Sequence, residues 1–336
     1  MKRFLKTHEF YVLTVILILS AAITIINPNF FTLENGLDLL KSYSFMGVLA
    51  IGILFVLISG GIDISFAATA TIAEYIMAVV SIQMGGNMFT AILIASLVGI
   101  TLGAFNGFLI AKYRIPPIIT TIATMNFYYG ILTVVTGGKW IYALPDWFRS
   151  FADIRVITLT SKTGTPYGLS VITLFWVIIT VAAIFILRYT MLGRGIYATG
   201  GDINSAERVG FPVRKLQVFV YAFMGLMAGI AGVIQALLVQ TVAPNSIVGK
   251  ELDVIAAVVL GGASLAGGIG SVGGTLLGVF LIAIVKNGMT LVKIPAVWYD
   301  VFIGIVILIS VSFSSWQRKK EHQHSNIEID TAEASS

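Results

Sequence analysis

The side chains of this chain that could do chemistry are few, and most interrupt long apolar runs. Asp63, Glu74, Glu251, Asp253, Lys286 and Asp300 stand among Leu, Ile, Val, Ala and Phe. An ionisable group in lipid is costly unless it faces a cavity or a partner, so each reads as pathway-lining or paired. For Glu74, Lys286 is a candidate partner on charge alone. Asp63 sits in Ser59-Gly60-Gly61-Ile62-Asp63-Ile64-Ser65. There it can cap a helix starting near Phe66 or face a pathway. Asn106, Asn126, Gln235 and Asn287 are neutral groups suited to a substrate's hydroxyls, and equally to bonds between helices.

Enzyme chemistry finds little support. There is no cysteine, and the three histidines, His8, His322 and His324, lie in the tails. That removes thiolate sites and a Ser/His/Asp set within the apolar region. Gly268-Ile269-Gly270-Ser271-Val272-Gly273 fits a dinucleotide fingerprint literally, but it lies in an apolar glycine-rich run with no soluble strand before it. Gly138-Lys139 resembles the end of a phosphate loop, but Trp140 follows where Ser or Thr is needed. No nucleotide site, metal or cofactor is expected in this chain.

The elements that must position these groups are membrane helices. Of 336 residues, 57% are hydrophobic and 11% charged, against roughly 25% charged in a soluble domain. Runs long enough to cross a bilayer fall at 10–26, 43–59, 66–82, 89–111, 117–136, 168–187, 217–240, 252–268, 271–290 and 297–314. The predicted fold is an all-α, polytopic transmembrane bundle of about ten spans with two glycine-rich helix breaks. The basic start resembles a signal peptide but lacks a clear cleavage site, so it reads as a retained first helix. With both termini inside, thirteen of the 21 basic residues fall on the inner side and seven on the outer, which favours that orientation. Residues 1–9 are then a cytoplasmic N-terminus, 10–314 the transmembrane domain, and 315–336 a cytoplasmic tail expected to be disordered. The outer loop 137–167 carries Trp140, Trp147 and Phe148, which read as interfacial aromatics or as a short helix over a pathway mouth.

Glycine patterns the helices. The two breaks are 59–65 and 260–270; the second contains Gly261, Gly262 and Ser264. Irregular backbone at membrane depth needs protein or a water-filled cavity around it, so paired breaks point to a pathway. Gly99, Gly103 and Gly107 form one stripe at four-residue spacing, and Gly270, Gly274 and Gly278 another, each allowing close backbone approach. Arg114-Ile115-Pro116 and Lys293-Ile294-Pro295 follow these stripes on opposite predicted sides, as an inverted repeat requires.

One basic hydrophilic loop, 189–216, stands apart. It specifies a miniature helix: Asn204 to cap it, Glu207 three residues on, Gly210 to close it and Pro212 to stop it. A defined helix in such a loop reads as a docking element.

GGIDIS (60–65), ATGGDINSAERVG (198–210) and ELDVIAAVVLGGASLAGGIGSVGGTLLG (251–278) resemble the permeases of bacterial ABC importers for monosaccharides, the ribose, xylose, arabinose and autoinducer-2 class. TGGKWIYALP (136–145) and KIPAVWYD (293–300) look most like the autoinducer-2 branch. The resemblance spans roughly residues 40–312. It implies a multi-pass protein of the bacterial inner membrane that imports a sugar or sugar-like molecule. It implies an ATP-binding cassette subunit carrying ATP and Mg, an extracytoplasmic sugar-binding protein, and a second permease, identical or not. The loop helix would meet the ATPase through Asn204, Ala206, Glu207, Arg208 and Gly210. A self-sufficient ion-coupled transporter using Glu74 or Asp63 is the rival reading. A passive channel lacks any visible charged ring.

Overall fold

The computed structural model describes residues 8–161, 164, 166–295, 297–302, 304, 305 and 308. Among the described residues, eight helices are long and apolar enough to cross a membrane. These are α1 (His8–Ile26), α2 (Leu33–Ile58), α3 (Phe66–Met84), α4 (Met88–Tyr113), α5 (Pro117–Thr136), α7 (Val171–Tyr189), α10 (Val213–Val239) and α12 (Val272–Leu291). The polytopic helical fold expected from composition is therefore present. α2 starts ten residues before the apolar run does. Thr32 caps it by accepting from the Asn35 amide, and Glu34 occupies its first turn, where a negative charge suits the helix dipole.

The run at 252–268 is not a spanning helix. Only α11 (Glu251–Leu260) forms, about 15 Å long and half of a bilayer core. Gly262, Gly267 and Gly268 then take positive φ, and the chain turns before α12. A run this rich in glycine gives up helix for backbone freedom. Before α11, residues 241–250 form no long helix, and their Ser246 bonds to Glu74 in the middle of α3. The last expected run, 297–314, is described as helical at 297–302, 304, 305 and 308, and the rest lies outside the described residues. So do the 315–336 tail, His322 and His324.

α10 is the central helix, packed against α4, α2 and α3. The α4 contact is backbone on backbone. A Cβ on Gly99 would collide with the Gly225 carbonyl, and one on Gly103 with the Tyr221 carbonyl; Gly229 faces the Ala95 carbonyl in the same way. The second stripe works likewise: Gly274 meets the Gly261 carbonyl and Gly278 the Ala257 carbonyl, closing α11 on α12. Arg114 ends α4 with φ 55° and Lys293 follows α12 with φ 64°. These two basic–Ile–Pro triplets thus share a left-handed backbone at the basic residue.

Two features were not foreseen, a second helix in the 189–216 loop and a β-hairpin in the outer loop, whereas a short helix in that outer loop was one of the expected readings. α8 (Met191–Gly201) fills the first half of the 189–216 loop, capped by Thr190. In the 137–167 region, α6 (Asp146–Phe151) is followed by an antiparallel hairpin, β1 (Arg155–Thr160) with β2 (Pro166–Ser170). Phe148 is core, fully buried, whereas Trp140 is exposed and stacks on Tyr142.

Gly99→Leu is expected to lower the melting temperature of the detergent-solubilised protein, by about 1–3 kcal/mol of overpacking. Gly130→Leu, with open space around its α-carbon, is the matched control. Equal melting of the two variants would contradict the α4–α10 contact.

Candidate functional site

Both glycine breaks arrive at one place, beneath α8. The Gly268 amide donates to the Ile58 carbonyl at 2.9 Å. Gly200, near the end of α8, lies so close to that carbonyl and to Gly268 that no side chain fits there. A Cβ on Gly267 would meet Gly60 and Gly200. The Tyr197 hydroxyl donates to the Gly270 carbonyl at 2.7 Å. The start of α1 seals the same region: His8 Nε2 donates to the Leu260 carbonyl at 2.9 Å, and the Ser271 hydroxyl donates to Glu9. His8 thus belongs to a packed helix start rather than a free tail. The breaks lie at the α8 end of the bundle, away from the depth of Glu74. Gly261 packs on α12, Gly262 against His8, and Ser264 supports the turn by accepting from the Ala266 amide.

Beyond α8 the chain forms α9 (Ile203–Arg208), the miniature helix expected from the sequence. Its cap is Asp202, not Asn204: the Asp202 carboxylate accepts from the Ser205 amide at 2.6 Å. Hydrogen bonds from the Ser205 side chain and amide hold the Asp202 carboxyl below its ordinary value. Asn204 is already the second residue of the helix, two positions past the cap, too far in to reach the first free amides. Gly210 closes the helix with φ 97°. Its amide returns to the Glu207 carbonyl and that of Phe211 to Ala206, which satisfies two end carbonyls. Ala206 is buried against the bundle, while Asn204, Glu207, Arg208 and Gly210 are exposed. A short helix fixed at both ends thus presents a polar face outward.

The remaining candidates fall into separate environments. Asp63 is buried and accepts from the Ser65 amide and hydroxyl at 2.8 and 2.7 Å. Asn106 donates to the same hydroxyl, and the Tyr128 hydroxyl donates to the Leu102 carbonyl beside it. Asp63 therefore orders the turn before α3 but does not cap it: the N-cap is Ser65, which Asp63 holds and which ties that turn to Asn106 of α4. Glu74 is fully buried. One of its oxygens accepts from the Ser246 hydroxyl at 2.6 Å and the other has no partner. The expected pairing with Lys286 is not formed: Lys286 lies over the Tyr299 ring, 4.5 Å from its centroid. The segment leading into α11, which brings Ser246 to Glu74, is what the sequence reading missed. Asn287 and Asn35 exchange hydrogen bonds between α12 and α2. Gln235 is buried on α10. Asn126 is exposed and bonds back to the Ile122 carbonyl of its own helix. The structure does not gather these polar residues into one pocket.

A family model described as the permease component of branched-chain amino acid transport systems matches residues 35–311. The chain belongs to this family of ABC-transporter permeases. It is 35% identical to the ribose import permease protein RbsC of Haemophilus influenzae, over 92% of this chain and 93% of that one. It is 32% identical to the autoinducer 2 import system permease protein LsrC of Photorhabdus luminescens, over 92% and 90%, and 32% identical to LsrC of Yersinia pestis, over 92% and 85%. No solved structure matches significantly. Membership makes this permease a membrane subunit that works with an ATPase and a substrate-binding partner, and it sets aside the self-sufficient ion-coupled reading.

Two outcomes test the local geometry. Asp202→Ala is expected to speed hydrogen exchange at the first amides of α9, and Asn204→Ala to leave it unchanged; the reverse would restore Asn204 as the cap. Ser246→Ala strands the Glu74 carboxyl and should destabilise the permease by about 1–3 kcal/mol. Glu74→Gln combined with Ser246→Ala should recover part of that in thermal melts. Additive losses would show that the contact carries no coupling.

Proposed function

We propose that this permease forms the membrane pathway through which an ABC importer takes up a monosaccharide or sugar-like molecule of the ribose or autoinducer-2 kind. The observation that carries the reading is near full-length likeness to both kinds of import permease, at 32–35% identity over 92% of the chain. The basic bias puts both termini and the α8–α9 loop on the cytoplasmic side. There α9 docks the ATP-binding cassette subunit, which holds ATP and Mg. An extracytoplasmic binding protein delivers the cargo to the opposite face, where the exposed Trp140 and Tyr142 sit. A second permease, identical or a sister chain, completes the pathway.

The mechanism follows from what α9 touches. Its exposed face carries Glu207 and Arg208, and its buried Ala206 rests on the bundle. It is joined through Asp202 to α8, whose Gly200 lies in the junction of the two breaks. Motion imposed on α9 by a closing ATPase thus reaches α2, α3, α11 and α12 at their ends. Glu207→Arg in the reconstituted transporter should reduce cargo-stimulated ATP hydrolysis to the unstimulated rate while the chain still inserts. Normal coupling would remove α9 from the docking role. Uptake by this permease alone, driven by a proton or sodium gradient, would overturn the ABC reading itself.

A further inference from the structure

A cavity of about 300 Å³ lies between α9, the Gly60–Gly61 break, the α4–α5 turn and the start of α10. We propose that it binds a small hydroxylated oxyanion of the sugar-phosphate class, and that the bound ligand holds α9 against the bundle and slows the transporter. The site itself stands on the cavity; the slowing rests on α9 being the ATPase-docking helix.

Charge selects the ligand class. Arg114 and Arg214 line the cavity together with one carboxylate, Glu207. Two guanidinium groups against one carboxylate leave a positive charge unbalanced. Among the described residues neither guanidinium has a hydrogen bond or an ion pair. Arginine's planar fork matches the geometry of phosphate oxygens. Arg114 is also fixed at its root, because its left-handed backbone precedes Ile115-Pro116-Pro117 at the turn into α5.

One wall of the cavity is aromatic. Tyr221 lines the same cavity and is only 1% exposed, and its hydroxyl has no partner. That oxygen sits against Gly61, where a Cβ would overlap it. The hydroxyl is closed off from the cavity, so Tyr221 offers a ligand only the rest of its ring as an apolar wall. The nearby Asp63 carboxylate is occupied by the Ser65 amide and hydroxyl. Asn204 and Gln217 add amides suited to sugar hydroxyls. The volume lies at the lower end of small-molecule sites, roughly 300–1,000 Å³, which suits one phosphorylated sugar. A ligand here would bridge α9 to the body through Glu207 and Arg114 and restrain the motion that coupling requires.

The test uses the transporter assembled with its ATPase in nanodiscs, with radiolabelled ribose 5-phosphate and inorganic phosphate as probes. Ribose 5-phosphate is expected to bind saturably and to slow ATP hydrolysis. Arg114→Gln should weaken its binding about tenfold, the loss of one charge-assisted contact, and Tyr221→Phe, which removes only a hydroxyl closed off from the cavity, should leave it unchanged. Inhibition is read against each variant's own rate without ligand, and the isosteric Tyr221→Phe guards against a folding artefact. Binding of phosphate as tight as that of ribose 5-phosphate would overturn the hydroxylated ligand. Wild-type affinity in Arg114→Gln, or no binding of either probe, would overturn the site. Binding without effect on ATP hydrolysis would establish the site and overturn the regulation. Because binding is measured directly, it survives or fails independently of the Glu207→Arg result.

Discussion

Three stretches of chain meet at Gly60, Gly200 and Gly267 with no side chain between them, and the α8 end of this permease depends on that contact. Many helix contacts in a membrane bundle run through side chains that can yield. Here the Ile58 carbonyl accepts directly from the Gly268 amide while Gly200 occupies the remaining space. Backbone atoms have no rotamers with which to absorb a displacement. A shift of α8 must therefore move the ends of α2 and α12 or break the contact. This junction makes α9 more than a decoration on a loop, because α8 connects it to the two places where the spanning helices are interrupted.

The body of the bundle follows the same economy. α10 lies on α4 through glycine against carbonyl, and α11 on α12 through a second such seam. Close approach increases dispersion contact where lipid gives no hydrophobic drive between helices. The polar groups then act as ties: Asp63 with Ser65 and Asn106, Glu74 with Ser246, Asn35 with Asn287. Much of the intramembrane polarity is thus engaged in ties between segments of the chain.

Most of this was legible in sequence. The spans at 66–82, 89–111 and 117–136 match helices almost to the residue, because a long apolar run between turn residues has one solution in lipid. The four-residue glycine spacing announced both seams, and Gly210 and Pro212 announced the end of α9. What escaped reading had physical causes. α8 carries Gly193, Gly195, Gly200 and Gly201, so its propensity argues against the helix that tertiary contact imposes. Asp202 and Asn204 are both good caps, and only the position of the first free amide separates them. The run at 252–268 has the apolarity of a span, but its length is spent on turns. Glu74 and Lys286 have opposite charges, yet Ser246, 172 residues from Glu74 in sequence, reaches the carboxylate first.

The exposed aromatic loop is joined to the interior in a way that matters mechanically. The Ile141 amide donates to the Val242 carbonyl, and the Val242 amide returns to Ile141. These two bonds close a ring of about a hundred residues of chain, and Ser246 lies four residues past the clasp. A pull on Trp140 or Tyr142 from outside the membrane is therefore transmitted as tension to the segment that grips Glu74. The loop is the handle of a lever whose short arm ends at a buried carboxylate.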